Sequence, residues 1–183
     1  NLNDTIAAIS TAIGEAGIAI VRMSGDDSVN IIDEIFVSAN GKKMAEAENR
    51  KFLYGHIADG DKLIDEVLVV KMKGPHSYTA EDIVEIHCHG GVVSVKRILN
   101  LILSKGARLA EKGEFTKRGF LNGRIDLTQA EAVIDMIKAK TDISFDMGLN
   151  QLSGALSEVL NKLKDELVSM QALIVANIDF PDE

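Results

Sequence analysis

The feature that most limits how this chain can fold is a run of apolar residues near its end: Leu149, Leu152, Leu156, Val159, Leu163, Leu167, Met170 and Ile174. They recur by three or four positions, so all fall on one side of an α-helix, and the pattern predicts a single long amphipathic helix from about Asp142 onward. About 35 helical residues would reach roughly 50 Å, well beyond the diameter of a domain built from the residues ahead of it. Most of that stripe needs partners from elsewhere, either further helices of the same protein or a second copy of this chain; further helices are the expectation. The opening at Asn1 and the close on Asp179-Phe180-Pro181-Asp182-Glu183 both read as trimmed ends.

Ahead of the stripe the periodicity is mixed. Thr5 to Ser10 reads as a short strand, Thr11 to Ala16 as a glycine-containing loop, and Gly17 to Met23 as an apolar strand carrying Arg22. Ser24-Gly25-Asp26-Asp27 ends that strand and is expected to cap a helix with Val29, Ile32, Ile35 and Phe36 on one face. Asn40 to Asn49 reads as a polar loop. Phe52 to Ile57 and Glu66 to Met72 flank the turn residues Asp59-Gly60-Asp61 and predict a hairpin.

Gly74-Pro75 opens a loop through Tyr78 and Ala80, and Asp82 to Cys88 alternates as a strand with Ile83, Glu85 and His87 on one face. A helical stripe follows through Val92, Val93, Val95, Ile98, Leu99, Ile102 and Leu103, closed by Gly106, with a short strand at Ala107 to Ala110. Glu114 to Leu121 is a short helix stopped by Asn122-Gly123, and Thr128 with Glu131 forms a capping-box pattern for a helix over Gln129 to Lys140. The order implies an α+β domain over residues 1–120 and the start of a helical domain over 121–183.

Composition excludes several classes. The net charge of −8 argues against a broad basic surface that neutralises many phosphates. No apolar run approaches the roughly 20 residues needed to span a bilayer, and no signal-peptide pattern opens the chain, which favours the cytosol. A single cysteine, Cys88, leaves no internal disulfide framework. No Gly-x-x-x-x-Gly-Lys-Ser/Thr loop occurs, so this stretch is not expected to hydrolyse GTP by itself. His87-Cys88-His89 lacks the spaced ligand pattern of a metal site, and none is expected.

The remaining candidates are charges at element ends beside glycines: Arg22, Glu85, Glu114, Arg118 and Arg124. A carboxylate in an apolar strand is costly unless paired. Glu85 therefore either meets Arg22 or Arg118 as structural glue, or receives a ligand presenting two adjacent N–H donors, such as a pterin edge. Arg22 and Arg124 suit the carbonyl or carboxylate side of such a ligand.

These residues lie in segments that resemble the tRNA modification GTPase family called MnmE or TrmE. The similarity runs through Asp4 to Ala8, Gly17 to Gly25, Ser77 to Asp82, Glu85 to Gly91, Gly113 to Thr116 and on through Arg118, Phe120 to Arg124, Asp126-Leu127, Gln129 to Ala132 and Ile178 to Glu183, and so covers essentially the whole chain.

The resemblance implies a mixed-sheet folate-binding domain like that of tetrahydrofolate-dependent aminomethyltransferases, followed by part of a helical domain. It implies that Arg22, Glu85 and Arg124 contact 5-formyl- or 5,10-methylene-tetrahydrofolate. It also implies a homodimer, and a flavoprotein partner, GidA or MnmG, with which an aminomethyl-type group is built on the wobble uridine of certain tRNAs. GTP hydrolysis with Mg2+ and K+ would belong to a GTPase domain outside this sequence. Two departures stand out: Ala80 where the family usually has glycine, and Lys112 where proline is common. Two other readings are a dimerisation scaffold without ligand and a stand-alone folate-dependent transferase.

Overall fold

The computed structural model describes residues 3–179, leaving out the side chains of Asn177 and Asp179. It contains two compact units, Asn1–Arg124 and Ile125–Glu183.

The first unit is built on a seven-stranded mixed sheet: β1 (Ile6–Ile9), β2 (Ile18–Ser24), β3 (Phe36–Ser38), β4 (Leu53–Asp59), β5 (Lys62–Met72), β6 (Ile83–His89) and β7 (Arg108–Leu109). Their spatial order is β3-β4-β5-β6-β2-β1-β7, antiparallel except where β7 runs parallel to β1. Alternation along the strands sends Val21, Met23, Val69, Val84 and Ile86 to one face, all buried, where α1 (Ser28–Ile35) and α2 (Val92–Ser104) cover them with Ile32, Ile35, Ile98 and Ile102. Each such fully buried aliphatic side chain contributes about 1.5–3 kcal/mol. The opposite face keeps Arg22, Glu85 and His87, only partly covered.

Several expectations are met and others corrected. The β4–β5 hairpin turns at Gly60, whose φ of +59° suits glycine, and α2 ends with Gly106 just beyond its C-cap. Phe36 belongs not to α1 but to β3: its backbone is extended (φ −107°, ψ 127°), and it pairs with Ile57 of β4. Asp27 occupies the N-cap of α1, but its side chain makes no capping bond there. On α2, Val93 is 63% exposed while Leu101 is buried, so the packed stripe lies slightly around the helix from the one expected. The polar loop after β3 is pinned to α1, because both Asp33 carboxylate oxygens accept from backbone N–H groups, of Met44 (2.6 Å) and Ala45 (3.0 Å), while the Met44 side chain is fully buried.

α3 (Glu114–Leu121) closes the first unit. The second unit contains α4 (Leu127–Lys138), α5 (Asp142–Leu152) and α6 (Ala155–Asp179). The single long helix is thus corrected to two. The break falls at Ser153-Gly154, where Gly154 has φ +94°, a conformation that ends a helix and suits a residue without Cβ. The capping box of α4 is also corrected: Asp126 accepts from the Gln129 N–H at 2.9 Å while the Gln129 side chain accepts from the Asp126 N–H at 3.0 Å, so Thr128 and Glu131 are not its members. Thr128 instead contacts Ser157 at 2.7 Å, tying α4 to α6. Gly148 of α5 lets that helix approach Met136 of α4, since a Cβ there would lie 2.7 Å from the Met136 Cγ. The apolar stripe remains along α6, with Val159, Leu163, Leu167, Met170 and Ile174 each more than half exposed.

Candidate functional site

β2 and β6 pair so that Arg22 stands directly opposite Glu85, and opposed residues of an antiparallel pair project from the same face. Arg22 Nε and Nη2 both donate to Glu85 Oε2, at 2.9 and 2.7 Å. The other carboxylate oxygen, Oε1, lies 3.3 Å from His87 Nε2. Of the two structural partners weighed for Glu85, the structure selects Arg22. The pair is held away from bulk water, with side chains 26% and 13% exposed, so its charges are screened less than those of a surface pair.

The Arg22 guanidinium carbon lies 5.6 Å from the ring centre of Tyr78 and 5.5 Å from that of Phe115. Arg124 follows the turn at Gly123 (φ +74°), and its guanidinium carbon lies 5.5 Å from the same Tyr78 ring. Cation–π contacts of this kind contribute about 0.5–1 kcal/mol at exposed positions and more when desolvated. Tyr78 is therefore the element that brings Arg124 to Arg22. Below it opens a cleft of about 450 Å3 lined by Arg50, Met72, Pro75, His76, Ser77, Tyr78 and Arg124.

The loop carrying Tyr78 is held by a polar network. Ser24 Oγ donates to Glu81 Oε2 at 2.6 Å and lies 2.7 Å from Thr79 Oγ1, which accepts from the Glu81 N–H. Asn122 donates to the Thr79 carbonyl at 2.8 Å, and Tyr78 Oη meets Thr116 Oγ1 at 2.8 Å. Ala80 sits at φ +62°, which L-residues other than Asn and Asp rarely adopt.

Beneath the loop, Arg118 (3% exposed) contacts both Glu81 oxygens at 3.2 Å and donates to the Asp4 carbonyl and carboxylate at 2.6 Å. Arg108 bridges Asp4 and Glu114. Hydrogen bonding from Arg108 outweighs burial and lowers the Asp4 carboxyl to about 2; Arg108 likewise holds Glu114 below its ordinary value. Glu114 and Arg118 are thus anchors of the loop and stand outside the cleft's lining.

A second constellation lies at the far end of β6. Asp65 accepts from the His89 ring Nδ1 (2.8 Å), the His89 backbone N–H (3.0 Å) and Ser94 Oγ (2.7 Å). Burial opposes ionisation of Asp65, but these bonds prevail and lower its pKa; the hydrogen bond to Asp65 in turn raises that of His89. Because Ser94 donates to the carboxylate rather than to the imidazole, the three do not form a nucleophilic relay. Among the described residues, no group of three or more His, Cys, Asp or Glu side chains is placed to hold a metal ion.

Comparison with known proteins bears on both units. Residues 5–124 match the family described as GTP-binding protein TrmE N-terminus, and residues 127–183 match the MnmE helical domain. The chain belongs to the MnmE/TrmE family. It is 62% identical over its full length to a tRNA modification GTPase MnmE of Alkaliphilus metalliredigens and 57% to that of Clostridioides difficile, covering 40% of each. It is 50% identical, over 98% of its length, to the MnmE of Bacillus subtilis, covering 39% of it. The chain thus spans about 40% of the length of these MnmE relatives.

Within this MnmE-family fold, the first matched segment falls in the first compact unit and the second in the second. Arg22 and Glu85 meet directly, and Arg124 joins them through Tyr78. Sequence reasoning did not single out Tyr78, Phe115 or Arg50. A signal for Tyr78 was its place in a Pro- and Ser-containing loop, where an aromatic has no local structural task, and both Tyr78 and Phe115 lie in segments that carry the family resemblance.

Proposed function

We propose that this chain is the one-carbon-carrier-binding part of a tRNA modification GTPase. The carrier is a reduced folate, 5-formyl- or 5,10-methylene-tetrahydrofolate, held by Arg22, Glu85 and Arg124, and when bound it supplies the carbon. The observation that carries the reading is the state of the Glu85 carboxylate. Arg22 takes only Oε2, so Oε1, on a partly covered sheet face beside an imidazole, remains able to accept N–H donors from a pterin edge. Tyr78 offers an aromatic surface beside the same group. Arg124, which pairs with no carboxylate among the described residues, offers a fork for a ligand carbonyl or carboxylate.

In this reading the chain works as a homodimer in the cytoplasm, with the flavoprotein GidA/MnmG and tRNA as partners. The product is an aminomethyl-type group on the wobble uridine. GTP, Mg2+ and K+ act in a GTPase domain outside this sequence, consistent with the lack of a phosphate-binding loop here. No helix among the described residues is long and apolar enough to cross a membrane.

Titration calorimetry with 5-formyltetrahydrofolate tests the site. Glu85→Ala and Arg124→Ala are each expected to lower affinity at least tenfold, the loss expected for one partly buried charge-assisted contact. Undiminished affinity in both variants would refute the assignment. A second reading draws on the Arg22–Glu85 pair being complete without a ligand: the unit then serves chiefly to dimerise. That reading predicts a sedimentation profile indifferent to folate and no calorimetric signal in the unmodified chain.

A further inference from the structure

On a chain of net charge −8, a cleft lined by Arg50, His76 and Arg124 and, among the described residues, by no acidic one is a local reversal of sign. Its volume of about 450 Å3 is within the range of small-ligand sites. Arg50 is built into it at a cost: its φ is +61°, a left-handed conformation unfavourable for a residue with a Cβ. Neighbouring bonds hold it there. The Arg50 N–H donates to the Lys71 carbonyl at 2.9 Å, and its Nη2 donates to the His76 carbonyl at 2.7 Å across the cleft. No carboxylate among the described residues pairs with Arg50 or Arg124, so two guanidinium groups on one wall set keep donors for an outside partner. Backbone strain maintained around unpaired cationic donors is the arrangement found at ligand clamps.

We propose that this cleft holds the distal carboxylates of an oligo-γ-glutamate tail on the folate, with Arg50 and His76 as tail-binding residues that Arg124 connects to the Tyr78–Arg22–Glu85 group. The inference rests on the folate reading of that group and extends it from the one-carbon head to the polyanionic tail. A chain of carboxylates suits the cleft because more than one guanidinium group lines it, and a planar fork takes a carboxylate with two N–H bonds. Attraction between partly exposed charges is screened by salt, so the preference for longer tails should shrink as ionic strength rises.

The test is calorimetry of the unmodified chain with the mono- and pentaglutamate forms of 5-formyltetrahydrofolate, repeated with Arg50→Gln and His76→Glu. The pentaglutamate is expected to bind about tenfold more tightly than the monoglutamate, as one or two partly exposed charge-assisted contacts allow. Arg50→Gln is expected to bring that ratio to about one while leaving monoglutamate affinity within twofold. His76→Glu places a carboxylate in the cleft without removing the carbonyl that Arg50 uses, and should reverse the preference. A ratio near one in the unmodified chain, or one that survives both substitutions, overturns the tail site while leaving the folate site standing. Absence of binding by either form overturns both. If the pentaglutamate preference is absent and a short single-stranded RNA binds in an Arg50-dependent way, the cleft is a phosphate site and the proposal fails.

Discussion

Replacing Arg118 by methionine should be among the most damaging single changes in the first unit. The side chain is 3% exposed and makes two 2.6 Å bonds to Asp4, two 3.2 Å contacts with Glu81 and a 3.6 Å ion pair with Glu114, so its removal leaves three carboxylates short of a partner. Asp4 and Glu114 keep Arg108, but among the described residues Glu81, 17% exposed, keeps only the Ser24 hydroxyl and no arginine. Breaking a buried pair from one side costs about 3–5 kcal/mol because the stranded charge cannot be resolvated.

The contrasting control is Lys51→Met: its pair with Glu48 is 61% and 74% exposed, and its loss should change stability by no more than about 1 kcal/mol. Arg118→Lys keeps the charge without the planar fork and should fall between the two. Urea unfolding followed by tyrosine fluorescence reads the first unit alone, because Tyr54 and Tyr78 are the only tyrosines and the sequence has no tryptophan. A loss below about 1 kcal/mol for Arg118→Met would mean that this network behaves like a surface pair, and the account of how the Tyr78 loop is anchored would be wrong.

Ala80→Gly should raise stability by about 0.5–1 kcal/mol, since relief of the left-handed alanine (φ +62°) exceeds the added entropy of unfolded glycine; the thermal midpoint by tyrosine fluorescence checks the sign. His89 should titrate above an ordinary histidine because Asp65 accepts from its ring. The stabilisation from that contact is complete below about pH 6.5 and fades as pH rises through the elevated folded value. NMR titration should show the His89 pKa falling in Asp65→Asn. Burial raises the Cys88 thiol to about 11, so at pH 8 iodoacetamide should alkylate it far more slowly than free cysteine, with unfolding in urea restoring the rate.

Local signals carried much of the fold. Alternation in the Asp82 to Cys88 stretch, the glycine beyond α2 and the Asn122-Gly123 stop all depend on neighbours a few positions away, and each element appears where those neighbours put it. The stripe from Leu149 to Ile174 lies on helix surface, as its spacing predicts, but on two helices and not one. Leu152 and Leu156 keep a helical spacing across the break, so periodicity hides it; only the φ of +94° at Gly154 reveals it. The capping box failed similarly: Asp126 with Gln129 and Thr128 with Glu131 both fit a local pattern, and the contact of Thr128 with Ser157, 29 positions away, belongs to the helix packing.

For the candidate site, residue types alone narrowed the choice to Arg22, Glu85 and Arg124, together with Glu114 and Arg118, without assigning partners among them. The register between β2 and β6 sets Arg22 against Glu85, 63 positions apart, while Arg118 is drawn under the loop to Asp4 and Glu81. An amino-acid sequence states which charges must find partners, because an unpaired charge cannot be buried cheaply. Which partner each finds depends on strand register and loop path, and these are determined by the packing of the whole sheet.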